Sequence, residues 1–424
     1  MTFFQFHPNV RLRIALSFLT NILSNMVVPF MSIYFARTLG TTIAGTATTI
    51  SIVVALVSAT IGGHYADRVG RKKMMLIGEG VALLAYAAMT FANSPFWHSA
   101  GLTLIMTMIS TASWGLSKPA VEAMLIDVSG PDTRKAIYRI NYWSNNLAIS
   151  VAGMIGGYFF SDYLFELLLA ASGMSLIALL VTAFFMKETM PTEKDRITEE
   201  VHISGPKRIT MFERYKEVLS DRRFLIYLIS SVLVVSVEMN LSGFIGIRLA
   251  GDIHQTPWLP GLPATIDGLP LVGILRTENT LAVVLLSLFV GRLLKNSSDT
   301  RIMLFAMFLN VAGYSYLAFG NQPILLLLLM LVTTIGELTY VPLKQAMLVQ
   351  LVPDHARSSY MALSSMTNRV SIMVSGLNMI IGGFLPSGAM AMFILLTGVV
   401  GIGMLASILP SLKEDAQKVH HAAV

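Results

Sequence analysis

Long apolar runs alternate with short polar breaks along almost the whole chain. Each run holds about twenty residues, the length a helix needs to cross the hydrocarbon core of a bilayer. There the backbone must satisfy its own hydrogen bonds, and a helix does so within one segment. The pattern predicts twelve spans. Six fall at 12–34, 42–65, 74–92, 101–126, 138–160 and 164–186, and six more at 224–247, 279–294, 302–320, 324–348, 359–381 and 388–409. Between the two sets lies a polar stretch rich in both charge signs, with Pro191 and Pro206. It divides the chain into an N-terminal bundle, 1–186, a linker, 187–223, and a C-terminal bundle, 224–424. Within the linker, Met211, Phe212, Tyr215, Val218 and Leu219 share one helical face. That fits an interfacial amphipathic helix and, equally, a soluble linker helix. The stretch 250–277 reads as a long outer loop, with Pro257, Pro260, Pro263 and Pro270 around Trp258; it is either an ordered cap or a lid.

Composition places these runs in lipid. The 424 residues are 54% hydrophobic and 13% charged, where a soluble domain carries about 25% charged residues; the mean hydropathy is +0.67. The net charge of +6 is a topology signal before it is a nucleic-acid signal, and no nucleic-acid partner is expected. Arg11, Arg13, Arg68, Arg71, Lys72, Lys73, Arg134 and Lys135 share one face with the linker. So do Arg292, Lys295, Arg301, Arg357, Lys413 and Lys418, whereas Arg37, Arg248 and Arg276 fall on the other face. This asymmetry predicts that both termini are cytoplasmic. The first run follows Arg11 and Arg13 and is long enough to stay as a span, unlike a cleaved signal. The chain has no cysteine, which excludes disulfides, thiolate metal sites and cysteine nucleophiles.

One polar break has an order of its own. Gly63-His64-Tyr65-Ala66-Asp67-Arg68-Val69-Gly70-Arg71-Lys72-Lys73 reads as a tight turn between spans two and three. A repeat relates the two bundles. Span four ends Pro119-Ala120-Val121-Glu122-Ala123-Met124-Leu125, and span ten ends Pro342-Leu343-Lys344-Gln345-Ala346-Met347-Leu348. Pro131-Asp132 precedes Tyr138 and Asn146 at the same distances as Pro353-Asp354 precedes Tyr360 and Asn368. Corresponding spans therefore fit a duplicated six-helix unit. In transporters built from parallel halves, the substrate binds near the midplane between them.

The spacing of Gly63, Asp67, Gly70 and Arg71 after a second apolar run resembles the signature loop of the major facilitator superfamily. Further stretches extend the likeness to the drug/proton antiporters of that superfamily. They are Asn9-Val10-Arg11-Leu12-Arg13, Ala123-Met124-Leu125-Ile126-Asp127, Tyr142-Trp143-Ser144-Asn145-Asn146-Leu147 and Gly336-Glu337-Leu338-Thr339-Tyr340-Val341-Pro342. The resemblance implies an all-α membrane protein with twelve transmembrane helices in two pseudo-symmetric six-helix bundles. It implies export of lipophilic, often cationic compounds in exchange for protons by alternating access. The expected partners are amphiphilic small molecules, protons and membrane lipids. The expected protein is a monomer in a bacterial-type cell membrane, without cofactor or metal, and not an enzyme. The resemblance also implies a conformational gate of Gly63, Asp67, Arg68, Gly70 and Arg71 together with Asp127, and a functional acid at Glu337. An acid at Asp67, docked near Ser358 at the start of helix eleven, would gain from the helix dipole. The chain departs from the family in places. Asn141 stands where the family has an acid. Glu238 lies one turn from the place of the family's span-seven acid. Gly153, Gly156 and Gly157 keep only part of the antiporter glycine pattern.

The acids within the spans carry the candidate chemistry. A charge at mid-bilayer costs roughly 2.5–3.5 kcal/mol on insertion scales, so acids there are rare and usually functional. Glu337 is such an acid. It can load and release a proton, and as a carboxylate it attracts a cation, so one group can couple two cargoes by competition. It can also be a structural acid paired with Lys344. Glu238 in span seven is a second candidate for the cavity. Glu122 has Lys118 one turn before it, and the two can pair, either as a substrate or proton site or as a neutralised pair that fixes span four. Asn21, Asn25, Asn141, Asn145 and Trp143 either line the path or serve as interhelical hydrogen-bond glue. No nucleotide-binding loop, metal-ligand cluster or nucleophile triad is present in the sequence, and the eight histidines are scattered over loops and tails. Transport would then be driven by an ion gradient or by the substrate's own gradient. The rival readings are a lipid or glycolipid flippase or other small-molecule transporter on the same fold, and a transport-dead membrane sensor.

Overall fold

The computed structural model describes residues 6–129, 131–190, 218–261, 263–293, 300–353 and 357–422. Helices α1 (Pro8–Leu39), α2 (Thr41–Val69), α3 (Arg71–Phe91), α4 (Ala100–Asp127), α5 (Pro131–Phe159) and α6 (Leu164–Phe185) form the first series. The second series is α7 (Arg222–Met239), α8 (Phe244–Asp252), α9 (Gly268–Leu293), α10 (Thr300–Leu317), α11 (Pro323–Leu351), α12 (Arg357–Ser365), α13 (Thr367–Gly382) and α14 (Ser387–Ala422). Each predicted span falls on helix over most of its described residues, although several boundaries differ. Among the described residues, nine segments are long and apolar enough to cross a membrane. The other three positions are held by α5, α10 and α12–α13. The linker face 211–219 lies outside the described residues except for its last two.

The chain divides into two compact units, Met1–Pro206 with Val272–Thr280, and Lys207–Leu271 with Leu281–Val424. In the first unit α4 packs on α2 and α3, while α1 packs on α5, α6 and α2. Small residues permit the closest approaches, as is usual between helices in lipid. A Cβ on Gly62 would stand 2.2 Å from the Leu116 carbonyl oxygen of α4. Val10, Ile14, Ala66, Met74, Met75, Met124 and Ile137 close a buried apolar cluster.

In the second unit α7 packs on α13 and α14, and α10 on α11 and α14. Buried polar side chains join these helices by hydrogen bonds to backbone. Ser230 donates to the Gly401 carbonyl (2.7 Å), Ser371 to Val232 (3.1 Å) and Asn310 to Thr333 (3.2 Å). In an apolar medium such a bond satisfies a group that would otherwise be costly to bury. Asp221 caps α7 by accepting from the backbone N–H of Arg223 and Phe224, each at 3.0 Å.

Three sequence expectations change. The region 250–277 is not one long loop. It holds the end of α8, an antiparallel bridge of β1 (Thr256–Pro257) with β2 (Thr265–Ile266), and the first turns of α9. The Gln322 amide ties it down by donating to the Trp258 carbonyl at 3.1 Å, so it is an ordered cap of its unit. Span eight therefore starts at Gly268, not 279, and takes Arg276 and Glu278 into the helix. Arg248, read as a loop charge, is buried. Its guanidinium donates to the carbonyls of Leu317 (3.0 Å) and Gly320 (2.6 Å) and to Asn321 and Asp252, clasping α8 to the end of α10. A guanidinium satisfies several carbonyls at once because its donors are fixed in a fork.

Candidate functional site

The signature segment is almost wholly helical. Helix α2 runs on to Val69, Gly70 alone breaks the chain, and α3 begins at Arg71. Gly70 has φ +113°, a conformation that side chains rarely adopt, and a Cβ there would stand 2.5 Å from a Glu188 carboxylate oxygen. The break aims Arg71 at two acids. Its guanidinium bonds Asp67, one turn back on α2, and Asp127 at the end of α4 (3.3 Å). The Arg71 side chain is only 11% exposed and Asp127 15%, whereas Asp67 is 65% exposed. The first N–H groups of α3 lack helical partners, and Glu188 supplies one. Its carboxylate accepts from the backbone N–H of Arg71 (2.9 Å) and Lys72 (3.1 Å), and from those of Thr189 and Met190. Thr189 donates to Asp127 at 3.3 Å, Lys72 to the Ala183 carbonyl at 2.7 Å, and Asn9 to the Lys187 carbonyl at 2.9 Å. The chain leaving α6 is thereby clasped to the signature break and to the start of α1. Gly63 stands in more open space, its Cβ position 3.7 Å from the Pro119 Cβ, and Arg68 is exposed. The Ser358 side chain, the expected neighbour of Asp67, lies outside the described residues.

A second cluster forms inside the second unit. Glu337, Tyr340 and Lys344 fall at i, i+3 and i+7 on α11, one face of the helix. Glu238 stands one residue before the end of α7 and lies within electrostatic reach of both Glu337 and Lys344. Lys344 is 9% exposed and Tyr340 is fully buried. The Lys344 ammonium sits 5.9 Å from the Tyr340 ring centre. The structure thus brings Glu238, offered by the sequence as a separate candidate, to Glu337 and to Lys344, the residue the sequence named as a partner for Glu337.

The remaining predicted residues do not converge on that cluster. Lys118 and Glu122 do pair along α4, but at 3.7 Å and with side chains 39% and 58% exposed. They are not a buried pair, so removing one strands no buried charge. The Lys118 ammonium also lies over the Trp114 ring, 4.7 Å from its centre. On α5, Asn145 accepts from the Asn21 amide of α1 at 3.1 Å, the interhelical role. Asn25 donates to the Asn21 carbonyl at 2.9 Å. Asn141 is half-buried and Trp143 exposed on the same helix.

Three acids escaped the sequence reading. Glu79, inside α3, forms an ion pair with Arg13 of α1 at 2.8 Å, with side chains 12% and 16% exposed. Its signal was present, since it is an acid within an apolar run. Glu188 gave no local signal, because its partners are 116 and 117 residues away. Glu278 was lost to the boundary of span eight.

The second unit thus holds two half-buried acids and a buried lysine on helices apolar enough to cross a membrane, the arrangement expected of an ion- or substrate-handling membrane protein. The family model that matches is the Major Facilitator Superfamily, over residues 14–277 and 240–422. The chain belongs to that superfamily, whose members are transporters, not enzymes. It is 28% identical over 378 residues to a Na(+), Li(+), K(+)/H(+) antiporter of Planococcus maritimus, covering 88% of each chain. It is 24% identical over 347 residues to the multidrug resistance protein MdtH of Baumannia cicadellinicola subsp. Homalodisca coagulata, covering 80% of this chain and 76% of the relative. Its fold matches a crystal structure of a POT family transporter in complex with 5-aminolevulinic acid, with a TM-score of 0.74 at 16% identity, over 97% of this chain and 100% of that one. The nucleoside transporter NupG matches with a TM-score of 0.70 at 14% identity, over 95% and 99%.

Proposed function

We propose that the chain is a proton-coupled antiporter that exports lipophilic, often cationic compounds by alternating access. The observation that carries this reading is the cluster of Glu238, Glu337 and Lys344 within one unit. When all three are ionised, two acids outweigh one base. Either a proton or a cationic cargo neutralises the excess, and the two exclude each other, which is the minimum an exchanger needs. Membership in the superfamily and the MdtH relatives support it, as does the resemblance of the motif set to the multidrug/proton antiporter LmrP. In this reading Asp67, Arg71 and Asp127 gate the cycle, the protein is a monomer in the bacterial cell membrane, and both termini are cytoplasmic. A second reading is exchange of alkali cations for protons. It is favoured by the relative named as a Na(+), Li(+), K(+)/H(+) antiporter, which aligns over most of both chains.

The test uses purified protein in liposomes with an imposed pH gradient. The wild type is expected to concentrate a cationic dye, and Glu337→Gln to lose at least about tenfold of that uphill rate while remaining inserted, equivalent to about 1.4 kcal/mol of lost coupling. Should the dye move no faster than in protein-free liposomes while Na+ or K+ exchanges for protons, the cargo is alkali cations. Should neither move, the antiport reading is wrong.

A further inference from the structure

Helix α9 carries Arg276-Thr277-Glu278-Asn279-Thr280, five polar residues in succession between apolar flanks. Glu278 stands ten residues into the helix, about 15 Å along its axis at the standard rise. The segment Val272–Thr280 groups with the first unit, where its seating on α5 is tight. The Thr277 hydroxyl donates to the Ser150 carbonyl at 2.9 Å. A Cβ on Gly273 would stand 2.4 Å from the Gly153 carbonyl oxygen and 2.6 Å from the Gly157 Cα. The polar run is therefore fixed in rotation.

Glu278 itself makes no hydrogen bond or ion pair among the described residues, and its Oε2 is buried. The positions one turn away on its own helix, Ile274, Leu275, Leu281 and Ala282, are all apolar. Arg276, two residues away, projects to another side of the helix. Helix α5 contains no charged residue from Ile140 to Phe159. Glu278 as a whole is half-buried, but its Oε2 is not exposed, and among the described residues neither its own helix one turn away nor α5 offers this oxygen a donor or a cation. Acids within membrane spans are retained chiefly where they bind or relay ions.

We propose that Glu278 is a further proton-binding acid of the exchange cycle, separate from Glu238 and Glu337 of the second unit. One proton binds its carboxylate and is released from it in each cycle. This rests on the antiport reading above, and adds a second carrier to it.

The test is the balance point of transport. Wild type and Glu278→Gln are placed in liposomes with tetraphenylphosphonium as cargo, or Na+ if the wild type carries that instead. The membrane potential is clamped and a pH difference of one unit imposed. Losing one proton per cycle lowers the cargo ratio at which net flux stops by about tenfold, since one pH unit is a tenfold ratio. Cargo-for-cargo exchange should persist in the variant, and Glu278→Asp should keep the wild-type balance point. An unchanged balance point in Glu278→Gln overturns the proposal. If that variant does not insert, infrared difference spectra between low and high pH compare wild type with Glu278→Asp. A protonated-carboxyl band that shifts between the two supports the proposal, and identical bands overturn it. Absence of any pH-driven flux in the wild type is a different result, which removes the antiport reading and this proposal with it.

Discussion

Gly70 and Glu188 show how much a single residue sets here. Gly70 allows the chain to break between two helices without a loop, and the Glu188 carboxylate occupies the space a side chain at Gly70 would need. Glu188 also places a negative charge at the positive end of α3, where it is favoured. Losing a cap of this kind costs about 0.5–2 kcal/mol. Glu188→Ala should therefore lower the unfolding temperature of the purified protein, with Glu188→Gln intermediate because its amide oxygen still accepts. Equal melting curves for all three proteins would show that the clasp contributes nothing. Asp67 and Arg71 were legible in the sequence because a motif with fixed spacing marks them, and Asp127 because the end of span four resembles that of the family. Glu188 was not, because its bonds to Arg71 and Lys72 join residues far apart along the chain.

At the scale of elements, neighbouring glycines make different demands. Gly62 lies against the α4 backbone, while Gly63, the first residue of the signature, has only ordinary contact beside it. Forcing extra atoms into a tight contact costs typically about 1–3 kcal/mol. Gly62→Ala should accordingly destabilise the protein in thermal or denaturant unfolding far more than Gly63→Ala does. Equal losses would mean that the contact between α2 and α4 is not the reason for glycine at 62. Element boundaries failed where apolar periodicity is interrupted. Arg276 and Thr277 looked like loop and Glu278 fell at its edge, and only the helix that continues through them shows that their polar groups lie within a span. Arg248 looked like an outer-face charge, yet the end of α10 offers it carbonyls to bond.

For the molecule as a whole, the excess of Lys and Arg on one set of loops argues for orientation. The absence of cysteine makes that testable with single introduced cysteines. Thr265→Cys should react with a membrane-impermeant maleimide on intact cells, and Lys73→Cys only after lysis. Both positions are exposed, so access to the reagent is decided by the membrane alone. The opposite labelling pattern would invert the proposed topology. The chain divides into two compact units, and the middle of α9 groups with the first rather than with the rest of its helix.

The sequence alone determined the membrane class, the helical positions and the superfamily, because each depends on local quantities: run length, apolar content and the spacing of a short motif. It also singled out Glu337 and Glu238, since a charge in an apolar run stands out without reference to anything distant. Tertiary structure decided which of these groups share a field. It brought Glu238 of α7 to Glu337 and Lys344 of α11, paired Arg13 with Glu79, and left Lys118 and Glu122 half in the open. The reason is physical. Whether a charge is paired, buried or exposed depends on which helix faces pack together, and that is set by contacts between residues remote in the chain.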